Sequence, residues 1–206
     1  RVINKMLSNF SDKVTDEMLA AIDDLNADIR RRMEEEGTFS QEEIEAAQMD
    51  VFKVITLASL IEKEAAYDQE RTLISSVIYN RLTTHVHELL QVDASVEYAL
   101  GEHRSQLTAE DLAVDSPYNT YLYKGLPPGP IANPGLASIT AAIYPRETNY
   151  FFYALSDEGG HEFFETYMEQ QDFLNGIVPV ETAENEPAPE ETGADEAEPV
   201  APAGEE

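Results

Sequence analysis

The chain has 206 residues, with 41 Asp or Glu against 13 Lys or Arg, and a net charge of −28. That balance excludes a nucleic-acid partner held by neutralising phosphates, because the polyanion is repelled. The absence of cysteine excludes a disulfide framework, a thiol nucleophile and a thiolate metal site.

The length suffices for one well-buried domain plus appendages. A chain opening at Arg1 is expected to be a piece of a longer protein. It holds no apolar run long enough to span a bilayer and no signal peptide, so any anchor or export signal is expected upstream.

Met18, Ile22, Leu25, Ile29 and Met33 recur at three- or four-residue spacing. They predict an amphipathic helix capped by Thr15 and ended by Gly37. Ser40 with Glu43 forms a capping-box signature for a second helix. A third helix is predicted over Val51–Ala66, and a fourth over Glu70–Leu82 with Leu73, Ile74, Val77, Ile78 and Leu82 as its apolar face. Asp93–Leu100 reads as a short helix or a turn. Thr108 and Asp111 cap a short helix over Ala109–Ala113. Asp115–Gly135 is too rich in Pro and Gly for regular structure. Asn133 and Pro134 then suit the N-cap and first position of a helix running to Tyr144. Asn149–Leu155 and Glu162–Thr166, joined by SDEGGH, predict a β-hairpin. A last helix covers Tyr167–Leu174. The segment Pro179–Glu206 carries ten acidic residues, five Pro and no Lys or Arg, and is expected to be disordered.

Within LASLIEKEA, Leu57, Leu60, Ile61 and Glu64 fall at i, i+3, i+4 and i+7. Glu64 therefore lies on the apolar stripe, whereas Glu62 reads as a solvated surface charge. A carboxylate facing a core or cleft at a helix C-terminus is costly to ionise, so its pKa is expected to rise. That is the state a general acid needs. The alternative is a buried glutamate satisfied by Arg71 or Arg81.

In the loop, Tyr118, Tyr121 and Tyr123 lead into Gly125-Leu126-Pro127-Pro128, a stiff segment suited to close approach of a ligand or to bridging the core. Asn80-Arg81 and Gln91-Val92-Asp93 offer polar groups for sugar hydroxyls or for helix ends. His85 and His87 lack a third ligand and read as surface histidines. His161 in the hairpin turn has no spacing that ties it to the cleft. No phosphate loop, serine elbow or zinc motif is present, so no cofactor or metal is expected.

LASLIEKEA, VIYNRL, LQVDASVEYALG, LTAEDL, DSPYNTYLYKGLPPGPIANPG and the GGHEFF hairpin occur in that order. Together they resemble the catalytic domain of the endolytic murein transglycosylases, the MltG/YceG-like family, over about Val54 to Phe173. The resemblance implies an α+β fold, mostly helical and lysozyme-like, with a small β-hairpin and a long Pro/Gly-rich loop. It implies an N-terminal helical segment over 1–50 that packs on or links to a catalytic domain over 51–178, before the acidic tail 179–206.

The implied activity is cleavage of MurNAc–GlcNAc bonds in nascent glycan strands to 1,6-anhydroMurNAc ends, which terminates the strand. The implied partners are peptidoglycan and cell-wall synthases, at the outer face of a bacterial membrane, with an N-terminal anchor helix upstream. The family's catalytic glutamate matches Glu64, acting first as acid and then as base. Its substrate-binding positions match Gln91, Asp93, Asn119, Thr120, Tyr121, Gly125, Pro127 and Pro128. The chain departs from the family's Q-T-D-P-T string at Gln91-Val92-Asp93-Ala94-Ser95. That altered wall leaves an alternative, a non-catalytic glycan-binding scaffold of the synthesis machinery. A hydrolytic muramidase using Asp93 or Asp115 as a second carboxylate is a further option.

Overall fold

Helical periodicity and caps account for most of the architecture seen in the computed structural model, which describes residues 5, 8, 11, 13–87 and 89–177. The acidic tail 179–206 lies outside the described residues. Helix α1 (Asp16–Glu36) starts where Thr15 Oγ1 accepts the Met18 N–H and ends at Gly37, whose φ of 73° suits glycine. Its five predicted apolar residues are buried. Helix α2 (Gln41–Ala47) carries the expected Ser40–Glu43 capping box.

Asn26 ties α1 to the chain entering α3 (Val51–Glu64), bonding both the N–H and the C=O of Met49 at 2.6 and 2.9 Å. A short 3₁₀ turn (Asp68–Glu70) leads into α4 (Arg71–Leu82). This helix is buried nearly all round: Ile74, Val77 and Ile78 are enclosed, and so are Ser75, Ser76, Asn80 and Arg81. It is therefore a central helix and not a two-faced one, and Leu73 and Leu82 are only half-buried. Its buried polar groups reach other segments. Tyr79 O–H donates to the Ala142 carbonyl at 2.8 Å, and the Asn80 amide donates to the carbonyls of Thr148 and Tyr150.

Helices α5 (Asp93–Leu100) and α6 (Ala109–Leu112) follow, the latter with a Thr108–Asp111 capping box. The loop 115–135 is irregular, as its composition predicts. Helix α7 spans Leu136–Ile143 with Gly135, not Asn133, as N-cap. The reason is Glu62, whose Oε2 accepts the Gly135 N–H at 3.2 Å and the Ser138 O–H at 2.6 Å. Those bonds set the first turn two residues later than the Asn-Pro signal.

Strand β1 (Phe152–Leu155) pairs antiparallel with β2 (His161–Phe164), in register Phe152↔Phe164 to Leu155↔His161. The strands are shorter than predicted. The carbonyls of Thr148 and Tyr150 are occupied by Asn80, and Thr166 serves as N-cap of α8 (Tyr167–Leu174). The core packs α3 against α7 and α4, with α1 on α7, and one apolar cluster runs from Met18 to Ile143. The fold is mixed α+β, mostly helical with a two-stranded sheet. Among the described residues, no helix is long and apolar enough to cross a membrane.

Candidate active site

Glu64 is the last residue of α3 and is half-buried at the wall of a cleft of about 380 Å³. Arg81, Gln91, Asp93, Tyr121, Tyr153 and His161 are among the residues that line the same cleft. Glu64 Oε1 accepts the Ala94 N–H at 3.3 Å and Oε2 accepts the Tyr153 O–H at 3.1 Å. Burial pushes its pKa up, against these two hydrogen bonds, and the nearby Asp93 carboxylate adds to the rise.

Neither arginine considered as a partner neutralises Glu64. Arg71 pairs with Glu62 at 3.2 Å and Asp68 at 3.0 Å. Arg81 Nε donates to the Phe151 carbonyl, and its Nη1 to Leu89 O, Leu90 O and Gln91 Oε1 at 3.0–3.1 Å. Glu62 is not the free surface charge its helical position suggests. Burial raises its pKa, but the Ser138 hydroxyl, the Gly135 N–H and Arg71 outweigh that and hold it below the usual range. The two glutamates, two residues apart, thus shift in opposite directions: Glu62 is held low at the N-terminus of α7, and Glu64 is raised at the cleft wall.

The far wall is built from the loop after α4 and the tyrosine loop. Gln91 has φ of 53°, the one non-glycine residue in the left-handed region among those described. That conformation costs about 1–3 kcal/mol and persists only where the surroundings enforce it. Here Gln91 N–H donates to the Thr120 carbonyl at 3.1 Å while its side chain accepts from Arg81. Asp93 accepts the Tyr121 O–H. Burial, then that bond, raises the Tyr121 pKa and keeps the phenol protonated.

Asn119 and Thr120 do not face the cleft. Both are buried beneath it. Asn119 donates to the carbonyls of Leu112 and Val114 and accepts the Tyr121 N–H at 2.9 Å. Thr120 Oγ1 accepts the Val92 N–H at 2.9 Å and shares a 2.8 Å hydrogen bond with Ser95. They set the backbone that presents Gln91, Asp93 and Tyr121. Gly125, Pro127 and Pro128 line a separate cavity of about 560 Å³ with Phe39, Phe52 and His85. Arg81 borders both cavities.

His85 and His87 are half-buried against aromatic rings, His85 stacked on Phe39 at 3.9 Å and His87 against Phe151 and Phe152. Among the described residues no three His, Cys, Asp or Glu side chains come together in a way that holds a metal ion. Asp115 accepts the Tyr123 O–H and does not line the Glu64 cleft. The cleft also holds Tyr153, which sequence reasoning missed, and His161, which no spacing tied to it. A tyrosine at an inward strand position and a histidine after two glycines are weak signals until the hairpin is folded against α3 and α4.

The sequence model of the YceG-like family matches residues 2–175. The chain belongs to the YceG-like family. This YceG-like chain is 43% identical over 127 residues to an endolytic murein transglycosylase of Bacillus subtilis, covering 62% of this chain and 35% of that protein. It is 31% identical over 166 residues to an endolytic murein transglycosylase of Streptococcus pneumoniae, covering 78% of this chain and 28% of that protein. The chain thus spans about a third of the length of the curated relatives it matches. A crystal structure of a yceG-like protein from Listeria monocytogenes is 44% identical with a TM-score of 0.57, over 65% of this chain and 43% of that one.

Proposed function

We propose that this chain carries the catalytic part of an endolytic murein transglycosylase that cleaves MurNAc–GlcNAc bonds in nascent glycan strands. The observation that carries the reading is Glu64: a half-buried carboxyl at a cleft wall, hydrogen-bonded but not paired with Arg71 or Arg81, with its pKa raised above the ordinary value by burial. The names of its relatives supply the substrate class.

Protonated Glu64 donates to the glycosidic oxygen as the bond to the muramic C1 breaks. The C6 hydroxyl of the same sugar closes onto C1 and releases its proton within the cleft. Glu64 is protonated again at the end of the cycle, no water is consumed, and the product is a 1,6-anhydromuramoyl end. Because the nucleophile belongs to the substrate, the two-carboxylate arrangement of ordinary glycosidases is not required. Gln91, Asp93 and Tyr121 contact the sugar in this reading, which their position lining the Glu64 cleft supports. The Asp93 carboxylate favours the positive charge that develops at C1. Asn119 and Thr120 support that wall from beneath. Gly125, Pro127 and Pro128 contribute, in this reading, to a neighbouring stretch of the binding surface. Strand termination, action at the outer face of the membrane with an upstream anchor helix, and work beside the synthases rest on the family likeness alone.

The test is to digest uncrosslinked glycan strands and weigh the new ends by mass spectrometry. Anhydro ends are expected. Ends heavier by one water would convert the reading to a hydrolase, and strand binding without cleavage would convert it to a scaffold.

A further inference from the structure

The hydrogen bond from Tyr153 to Glu64 joins residues 89 apart in the chain, one on the β-hairpin and one at the end of α3. Glu70, buried in the 3₁₀ turn, bonds to both of those elements. Its Oε2 accepts the Ala66 N–H at 3.2 Å, just beyond the end of α3. Its Oε1 accepts the His161 N–H at 2.8 Å, at the start of β2, and His161 Nδ1 lies 2.9 Å from Oε2. Burial acts against ionisation of this carboxyl, but the bonds from His161 and Ala66 outweigh it and hold it below its usual range. An ionised carboxyl is acceptor-only, so both oxygens can hold donors at once.

The link from Glu70 to Tyr153 runs across the hairpin. Leu155 pairs with His161, so Tyr153 is the diagonal neighbour of His161 on the same face of the sheet. Their rings meet edge-on with centroids 5.3 Å apart. Tyr153 thus packs on the side chain that Glu70 holds, while its hydroxyl donates to Glu64 Oε2. The hairpin turn leaves space for this carboxylate and little else: a Cβ on Gly160 would sit 2.8 Å from Glu70 Oε1 and 3.2 Å from the Tyr67 ring.

We propose that Glu70 is a positioning residue of the active site, which clamps the hairpin to the end of α3 and so holds the Tyr153 hydroxyl on Glu64. Its effect on turnover rests on the transglycosylase reading; the clamp itself does not. Glu70 is not among the residues that line the cleft, so it acts through Tyr153. The Tyr153 hydroxyl stabilises the carboxylate that forms when Glu64 gives up its proton. A hairpin released from α3 lets that bond lengthen and bend, and hydrogen bonds weaken steeply with both. The other ionisable groups on the cleft wall, Asp93, Tyr121, Arg81 and His161, are left unsubstituted in the variants that test the clamp.

The experiment compares the full chain with two variants. Glu70→Gln keeps the shape of the side chain but sets an amide NH₂ against one of the donors it holds. Gly160 lies outside the left-handed region, so Gly160→Ala leaves the backbone unstrained and displaces the carboxylate instead. In both, the ¹³C carboxyl resonance of Glu64 should titrate with a midpoint above that of the wild type, because the Tyr153 bond lowers the Glu64 pKa. On uncrosslinked strands kcat should fall about three- to tenfold with KM little changed, the larger figure being full loss of the Tyr153 bond. In a Tyr153→Phe background, Glu70→Gln should slow turnover by less than about twofold, because residues that act through one contact are not additive. Where Glu70→Gln does not fold, Gly160→Ala decides. An unmoved Glu64 midpoint, or a loss of kcat that multiplies in full with that of Tyr153→Phe, would overturn this inference alone. A wild-type chain that makes no anhydro ends would overturn the enzymatic reading, and the Glu64 midpoints would still decide whether the clamp exists.

Discussion

Replacing Tyr153 by Phe removes one hydroxyl from the Glu64 cleft and leaves the ring that packs beside His161. The hydroxyl donates to Glu64 Oε2, so it stabilises the carboxylate that forms when the proton is given up. Hydrogen bonds to charged groups contribute about 1.5–3 kcal/mol. At 3.1 Å this one is longer than the strongest O–H···O⁻ contacts, and Glu64 keeps its Ala94 bond. The lower end, about 1.5 kcal/mol, therefore applies, and it corresponds to a roughly tenfold slower kcat. The same loss raises the Glu64 pKa further, because the Tyr153 bond lowers it in the wild type. Activity that needs a protonated Glu64 falls as pH rises through that pKa, so the alkaline limb of the rate profile should move to higher pH. Initial rates of strand cleavage, measured across pH for wild type and Tyr153→Phe, read both effects. An unchanged kcat with the limb in place, or a limb moved to lower pH, would refute the assignment of Glu64 as the acid steadied by Tyr153.

Glu64→Gln should abolish turnover and raise thermal stability at neutral pH. A group whose folded pKa is raised stabilises the fold below its unfolded value of 4.5 and loses that contribution as pH rises through the folded pKa. The gain in Tm over wild type should therefore be largest at neutral pH, at about 2–4 °C per kcal/mol relieved, and vanish in acid; a variant less stable at pH 7 would contradict it. Glu62→Ala should cost about 2 kcal/mol by leaving the Gly135 N–H and Ser138 hydroxyl at the α7 N-terminus without their acceptor and removing one of the two carboxylates paired with Arg71. Its pKa is lowered in the fold, so this contribution is present above the unfolded carboxylate's value and lost as pH falls through the folded one. Denaturant melts of the two proteins should converge at low pH, and a constant gap would argue against the sign. Thr120→Val should cost about 1–3 kcal/mol by orphaning the buried Val92 N–H. It should also slow turnover through Gln91 and Asp93, and kinetics identical to wild type would show that the wall does not depend on Thr120.

Local signals carried the reading of the helices and of where Glu64 lies. Thr15, Ser40, Thr108 and the apolar spacing of α1 act within a few residues, and they hold in the fold. The helical phase of Glu64 likewise depends only on its own helix, and its raised pKa follows from that placement. What escaped is long-range. Glu62 binds Gly135 and Ser138, more than 70 residues away, which turned an apparent surface charge into a helix anchor and displaced the N-cap from Asn133. Tyr153 and the Glu70–His161 pair enter the site across separations of 89 and 91 residues. Asn119 and Thr120 sit in a loop whose motif suggests contact with a ligand, yet their short side chains are spent on Leu112, Val114, Val92 and Ser95. Only Tyr121 in that string, with its long side chain, reaches the cleft.

The proton on Glu64 can be followed directly by ¹³C NMR titration of its side-chain carboxyl, assigned by the signal that disappears in Glu64→Gln. The expected midpoint lies above 4.5, the ordinary value for glutamate. A carboxyl that titrates at or below that value would be fully ionised at working pH and would contradict a general acid at this position.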